Sequence, residues 1–361
     1  ADEGKVLEFL VANHMEMSLI AERRDIDDPD QIDRFAEKVG TVEQLKMLYL
    51  LSYGDINAVA PGIWNEWRGT LFYELYRRTL RVLESDEAVS RKKRLDDIGS
   101  QVCLEARAAV SRVDAARILD YLNKMPERYR LGTAPQDILR QIEMSEKLSE
   151  DMPFVLEVTH RRRLGNTLLT MVCRDRLGLF GIIAATFASF RIKILDAKAF
   201  TDTDGLVVDT FIVVDAEDKA VTDEKLWEAI RSCLVDLSSG KMDIEKINAK
   251  NNRIKPPRQR VYFEIPTLVE YDLAASEDDT IIEVITADRH GLLSRIAGRL
   301  ADEGVSISRA KIITEGLRGV DVFYVTDSNF QKIEDKQRLS ELCEMLTMEL
   351  TEDSEKNVAS F

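Results

Sequence analysis

Two aspartates and two glycines recur at one spacing. Asp175, Gly178 and Leu179 read Asp-x-x-Gly-Leu, and Asp288, Gly291 and Leu292 read the same 113 residues further on. Between a strand and a helix, such a glycine opens the helix at the end where backbone N–H groups lack intrahelical partners. That end attracts a carboxylate, and the nearby aspartate could hold an ammonium group. Together the two poles complement a free α-amino acid. The same residues admit a plainer reading, in which each aspartate caps its helix and each glycine only permits the turn. One copy of the motif is weak; its repetition before matching strands carries more.

The repetition extends well beyond the motif. "VCRDRLGLFGIIAATFASFRIKILDAKAF" is restated as "ITADRHGLLSRIAGRLADEGVSISRAKII", and Ala197-Lys198 aligns with Ala310-Lys311 at the same offset. Further on, Asp209 in "VVDTFIVVD" faces Asp321 in "GVDVFYVTD" 112 residues on, so one residue is lost in a connecting turn. Register held this long indicates a duplicated domain.

The elements that must position these residues follow from local pattern. "FVLEVTH", "NTLLTMVC", "KILDAKAFT" and "LVVDTFIVV" are short and rich in Val, Ile, Leu, Thr and Phe, which predicts strands. "DTDG" between the last two predicts a hairpin turn, with Gly205 supplying a positive φ. "LFGIIAATFASFR" and "DEKLWEAIRSCLVDL" predict helices. The second copy repeats the order with "TIIEVITA", "LLSRIAGRLADEG", "SISRAKIIT", "GVDVFYVT" and "RLSELCEMLTMEL". "FVLEVTH" and "VYFEIPTLVEYDL" precede the copies and would each add an edge strand. Helices would cover one face of a mostly antiparallel sheet.

Residues 1–150 read as helices. "GKVLEFLVANHMEMSLIAE" puts Val6, Leu10, His14, Met17 and Ala21 near one face. "DDPDQIDRFAEKVG" carries an Asp cap, Pro29 in the first turn and Gly40 as a stop. "TVEQLKMLYLLSYGDINAV" opens on a Thr cap. After Pro61-Gly62, Trp64, Trp67, Leu71, Leu75 and Tyr76 fall on one stripe. Residues 87–150 are charged and helix-favouring, broken only at Pro126 and between Gly132 and Pro135. Residues 240–260 are polar and bear prolines, a linker. The last residues, "TEDSEKNVASF", read as a polar tail.

With 361 residues, two or three domains can each bury a core. A formal charge of -15 argues against nucleic acid and anionic membranes, which need a positive surface. The four cysteines are scattered without CxxC spacing, and Cys173 lies in an apolar strand, which predicts reduced, buried thiols. No apolar run approaches membrane-spanning length and no signal peptide opens the chain, so a cytoplasmic protein is expected. The chain starts at Ala1, without methionine, in residues that read as helix interior; a piece of a longer protein is expected.

The predicted βαββαβ arrangement, with Asp-x-x-Gly-Leu after its first strand, resembles the ACT domain, a small sensor that commonly binds amino acids between paired copies. "HMEMSLIAERRDIDDPDQIDRFAEKVG" followed by "YLLSYGDINAVAPGIWNEWRGTLFYELYRRT" is similar to the bifunctional PII uridylyltransferase/uridylyl-removing enzymes. That family runs nucleotidyltransferase domain, HD phosphohydrolase domain, then two ACT domains. The resemblance covers essentially the whole chain. It implies an α+β protein: an all-helical N-terminal region, then two tandem βαββαβ units. Residues 1–86 would be the C-terminal part of an HD domain and 87–150 a helical connector. Residues 151–239 would be the first ACT domain and, after the linker, 261–361 the second, paired within the chain or between chains.

The resemblance also implies chemistry. His14 matches the family's motif histidine, and Asp55 in "SYGDINAV" stands where the family has an Ala-Asp-Ile aspartate, so both would belong to a magnesium or manganese site. A complete HD site needs a His-Asp pair and a further aspartate, because clustered imidazole and carboxylate hold the metal that activates water. No His-Asp dipeptide occurs among the three histidines. His160 reads as part of a basic loop and His290 lies in the second Asp-x-x-Gly-Leu loop. The transferase's own motif elements are likewise missing. The implied role is glutamine sensing that controls PII uridylylation and deuridylylation, with glutamine held at Asp175, Gly178, Leu179, Asp288, Gly291 and Leu292. Two other readings stand beside it: a stand-alone amino-acid-binding regulator with a helical docking scaffold, and a (p)ppGpp synthetase/hydrolase. The doubled ACT-like unit and the short helical connector, with no β-rich domain between, disfavour the latter.

Overall fold

Capping chemistry sets the first helices. Asp28 accepts a hydrogen bond from the Asp30 N–H, Pro29 fills the first helical position, and Gly40 ends α3 (Pro29–Val39) with φ 78°. Thr41 Oγ1 then accepts from the Gln44 N–H at the start of α4 (Val42–Val59). The stretch before them, expected as one helix, is two: α1 (Asp2–Asn13) and α2 (Glu16–Arg23). At the break Asn13 Nδ2 donates to the Phe9 carbonyl, and His14 Nδ1 lies 2.9 Å from the Val11 carbonyl. Polar side chains that engage nearby carbonyls loosen a helix in this way.

The protein is seen here as a computed structural model that describes residues 2–59, 64–84, 91–176, 178–238, 247, 265–315 and 317–359. The break expected at Pro61-Gly62, the boundary at residue 86, almost all of the 240–260 linker and the start of the second edge-strand segment lie outside these residues. The chain divides into two compact units, one of Ala1–Glu146 with Asp202–Asp204, the other of Lys147–Thr201 with Gly205–Phe361.

The first unit is helical, completed by α5 (Glu66–Glu84), α6 (Arg91–Ala108), α7 (Ala115–Lys124), α8 (Glu127–Gly132) and α9 (Pro135–Ser145). Met17, Ile20, Phe35, Leu45, Leu48, Phe72 and Leu75 form its first core. Trp64 stands ahead of α5 rather than on it, its ring against Tyr53 at 4.8 Å and Phe72 at 5.1 Å. α8 begins directly after Pro126 and α9 at Pro135, where proline's fixed φ suits a first turn.

Among the described residues the second unit holds eight strands: β1 (Phe154–Arg161), β2 (Asn166–Arg174), β3 (Lys193–Thr201), β4 (Leu206–Val214), β5 (Leu268–Asp272), β6 (Thr280–Ala287), β7 (Val305–Glu315) and β8 (Arg318–Asp327). Among the described residues it also holds helices α10 (Leu179–Ser189), α11 (Glu224–Ser238), α12 (Leu292–Asp302) and α13 (Lys336–Ala359). Each copy runs strand, strand, helix, strand, strand, helix, its edge strand coming from the N-terminal side. All strands join one antiparallel sheet in the order β1-β2-β4-β3-β7-β8-β6-β5. One core joins alternate strand residues such as Leu169, Phe211, Ala310 and Phe323 to Ile183, Phe187, Trp227, Ile296 and Leu346 of the four helices. α13 continues through the stretch expected to be a polar tail.

β3 and β7 join the copies through Asp196↔Lys311, Ala197↔Ala310 and Lys198↔Arg309. Above them α10 and α12 touch: Ser294 Oγ donates to the Gly181 carbonyl at 3.3 Å. A side chain starting at Gly181 would meet the Gly298 backbone N at 3.5 Å.

Candidate functional site

Both Asp-x-x-Gly-Leu motifs connect a strand to a helix. Gly178 precedes α10 with φ 73° and Gly291 precedes α12 with φ 77°, left-handed conformations that glycine adopts without a Cβ penalty. Leu179 and Leu292 are the first helical residues. Among the described residues no first-turn N–H donates to the Asp175 or Asp288 side chain, so of the two plainer roles the glycine turn is present and aspartate capping is not seen. The Leu179 and Leu292 N–H groups donate to the Arg176 and Arg289 carbonyls, each at 3.1 Å, so an anion would have to meet donors later in each first turn.

Asp175 and Asp288 are exposed and held through their backbones: Asp175 N–H donates to the Gly205 carbonyl at 2.9 Å, Asp288 N–H to the Leu317 carbonyl at 2.8 Å. Each loop is thus pinned across its own strand pair. Thr314 Oγ1 also donates to Asp288 Oδ2 at 3.3 Å. In the first copy, Asp175 borders a cavity of about 240 Å³ walled by Phe154, Met171, Cys173, Leu179, Ile182 and Leu234.

Two acids identified in sequence only as repeat landmarks turn out to be buried. Asp209 on β4 is 1% exposed and Asp321 on β8 is 3% exposed. Alternation along the strands puts Asp209 with Val207 and Phe211, and Asp321 with Phe323 and Val325, on the helix-covered face. Burial, then the Asp175 carboxylate, hold Asp209 well above the ordinary carboxylate range, against a backbone hydrogen bond from Phe200. Burial and Asp288 do the same to Asp321. Their recurrence inside apolar strands, two residues before a phenylalanine, was the available signal: an acid there has to be explained.

All four cysteines are free thiols. Cys173 is buried, and burial followed by Asp209 raises its thiol far above the usual value. His290, in the second loop, reaches the first copy: its ring makes a backbone hydrogen bond at Ala188. Burial, and then Arg191, lower its pKa. His160 lies on β1 rather than in a loop, its Nε2 3.3 Å from Glu224 Oε1.

His14 and Asp55 sit in the first unit. His14 occupies the turn between α1 and α2, and its carbonyl accepts from Ser52 Oγ of α4 at 3.2 Å. Asp55 is exposed, one turn beyond Ser52 on that helix. Among the described residues no group of three or more His, Cys, Asp and Glu could hold a metal ion. These two side chains alone offer too few ligands for a closed site. Nor is any described helix long and apolar enough to cross a membrane.

Paired strand–helix–strand–strand–helix units with this loop define an ACT-type architecture, and residues 280–330 match the ACT domain family. The chain is also a homologue, over nearly all its length, of bifunctional uridylyltransferase/uridylyl-removing enzymes. It is 32% identical to that of Gluconobacter oxydans over 97% of this chain and 37% of the relative. It is 31% identical to those of Pseudomonas aeruginosa and Stutzerimonas stutzeri, over 98% of this chain and 39% of each relative. The chain therefore spans under two fifths of the length of these relatives, a fit to their C-terminal portion. No solved structure matches significantly.

Proposed function

We propose that this chain is the nitrogen-sensing part of a bifunctional PII uridylyltransferase/uridylyl-removing enzyme, and that its two ACT-like repeats bind glutamine. The observation that carries the reading is the near full-length likeness to enzymes of that name, joined to a duplicated loop whose uncapped helix start and nearby carboxylate suit a zwitterion. Glutamine would report nitrogen sufficiency and shift the enzyme from modifying PII to demodifying it, in the cytoplasm. The ligand carboxylate would meet the first helical turn after Gly178 or Gly291, beyond the Leu179 and Leu292 N–H groups that already donate to Arg176 and Arg289, and its ammonium would meet Asp175 or Asp288. Charge-assisted hydrogen bonds contribute roughly 1.5–3 kcal/mol each, less the costs of association, which suits micromolar to millimolar affinity.

His14 and Asp55 would contribute to a magnesium or manganese centre whose other ligands lie outside this chain. The metal would supply an activated water there; these two residues would only help to hold it. The chain alone is expected neither to transfer uridylyl groups nor to remove them efficiently. Calorimetric titration of glutamine into the chain, with glutamate as control, tests the sensor; absence of binding at millimolar ligand would sink it. Incubation with PII, UTP and magnesium, and with uridylylated PII and manganese, tests the second statement; robust turnover either way would overturn it.

A further inference from the structure

In each repeat a buried carboxyl and a loop carboxyl share the helix-covered side of the sheet. Asp209 stands on β4 opposite Met171 of β2 and Ala199 of β3, and the loop bearing Asp175 climbs from β2 to α10 on that side. Asp209 Oδ1 is buried without a hydrogen-bond partner. A buried acceptor left unsatisfied destabilises the fold, so a donor that reaches it is favoured. The charge that bears on it is Asp175, also negative, and both acids in turn raise the Cys173 thiol, which Arg176 opposes.

The second repeat keeps the pair. Gly319 of β8 stands where the first repeat has Val207, and a side chain starting there would come within 3.8 Å of Asp288 Cβ. Gly319 and Asp321 lie on one face of β8, about 7 Å apart at strand spacing. Asp288 thus packs directly over Gly319, two residues before the buried acid. Arg289 and His290 flank it in the loop, and Thr314 holds its outer oxygen.

We propose that Asp209 and Asp321 recognise a primary ammonium group, each supplying the inner carboxylate of a two-carboxylate site whose outer members are Asp175 and Asp288. This rests on the reading that the repeats bind a free amino acid, and it names the groups that select the amine. Two carboxylates in a low-dielectric setting do not both ionise, so the inner acid keeps its proton while the site is empty. An entering ammonium, drawn to the outer carboxylate, places a positive charge beside the inner acid and so favours its ionised form. The inner carboxyl then gives its proton to a solvent base and accepts an N–H of the ligand; no ligand bond breaks. Binding therefore releases close to one proton per occupied site.

The test is calorimetric titration of glutamine into the whole chain at pH 7, in phosphate and in Tris, whose protonation enthalpies differ. The apparent binding enthalpy of the parent should differ between buffers by the amount proton release requires. The Asp209→Asn/Asp321→Asn double variant should lose that difference and bind on the order of tenfold more weakly, a factor equal to about 1.4 kcal/mol. His290→Gln should keep the difference, since the loop histidine is not its source. Asn matches the shape of the neutral acid; should the double variant misfold, the parent's buffer dependence decides. Binding by the parent with no buffer dependence, or equal affinity in the double variant, overturns the inference and leaves the sensor intact. Failure of the parent to bind glutamine overturns both.

Discussion

Ala197 pairs with Ala310 across β3 and β7, so one position of the repeat faces its own equivalent. Gly181 and Ser294, equivalent at the same offset of 113, also meet each other, through a hydrogen bond between α10 and α12. Two such self-contacts, one in the sheet and one in the helix layer, define a local two-fold axis through the joint. Flanking residues pair crosswise about it, Asp196 with Lys311 and Lys198 with Arg309. Pairing β3 with β7 also covers two strand edges that each copy alone would expose.

The helix crossing depends on glycine at 181. Its first side-chain atom would stand 3.5–3.7 Å from the Gly298 backbone, ordinary contact that leaves no further room. Gly181→Ala should be tolerated, whereas Gly181→Leu should cost about 1–3 kcal/mol through overpacking. Urea unfolding followed by circular dichroism checks this, and equal midpoints for the two variants would contradict it.

Asp196 and Arg309 form an ion pair across the joint, with guanidinium–carboxylate distances of 3.3 and 3.4 Å and both side chains buried. Removing one partner strands the other, so Arg309→Ala should destabilise the second unit by about 3–5 kcal/mol. The pairing strands a charge only if the carboxylate remains, so Asp196→Asn in the same chain should recover part of the loss. Denaturant titrations of the single and double variants measure the coupling; strict additivity would refute it.

Gly178 and Gly291 hold left-handed backbone conformations. Replacing either by alanine should cost about 1–2 kcal/mol, and asparagine less, because a Cβ crowds the following carbonyl in that region. Thermal unfolding checks the order glycine, asparagine, alanine. Glutamine affinity should fall with it at whichever loop is occupied.

Asp209 and Asp321 have pKa values raised in the folded state. Such a group favours folding most below its unfolded pKa of about 3.9, and that contribution is lost as pH rises toward the folded value. Asp209→Asn and Asp321→Asn, which cannot ionise, should therefore match the parent near pH 4 and exceed its stability increasingly toward pH 8. Thermal midpoints across that range test the sign; an advantage confined to acid pH would reverse it.

The order of elements in the second unit was legible because strand and helix periods change where the residue types change. "NTLLTMVC" became β2 and "LFGIIAATFASFR" became α10, while Gly205 and Gly40 turn with the positive φ that their contexts demanded. The split at His14 was harder to see. Apolar spacing runs unbroken through Val6, Leu10 and Met17, and the break lies in side-chain hydrogen bonds to carbonyls that periodicity does not register. Trp64 shows the same limit, since its stripe continues a helical pattern that the backbone has not yet entered.

By itself, then, the sequence determined local form and duplication: residue types set the strand, helix and turn preferences, and the 113-residue offset set the equivalence of Asp175 with Asp288 and of Gly178 with Gly291. Only the tertiary structure decided which equivalent residues meet. Ala197 reaches Ala310, and Gly181 reaches Ser294, because β3 must satisfy the backbone groups of its open edge and finds them on β7. Folding likewise turned Asp209 and Asp321 from landmarks into buried acids, since strand alternation sends them to the face that the helices cover. Their altered acidity arises from surroundings distant in the chain, the loop before α10 for Asp209 and the loop before α12 for Asp321, adjacent only once the sheet has formed.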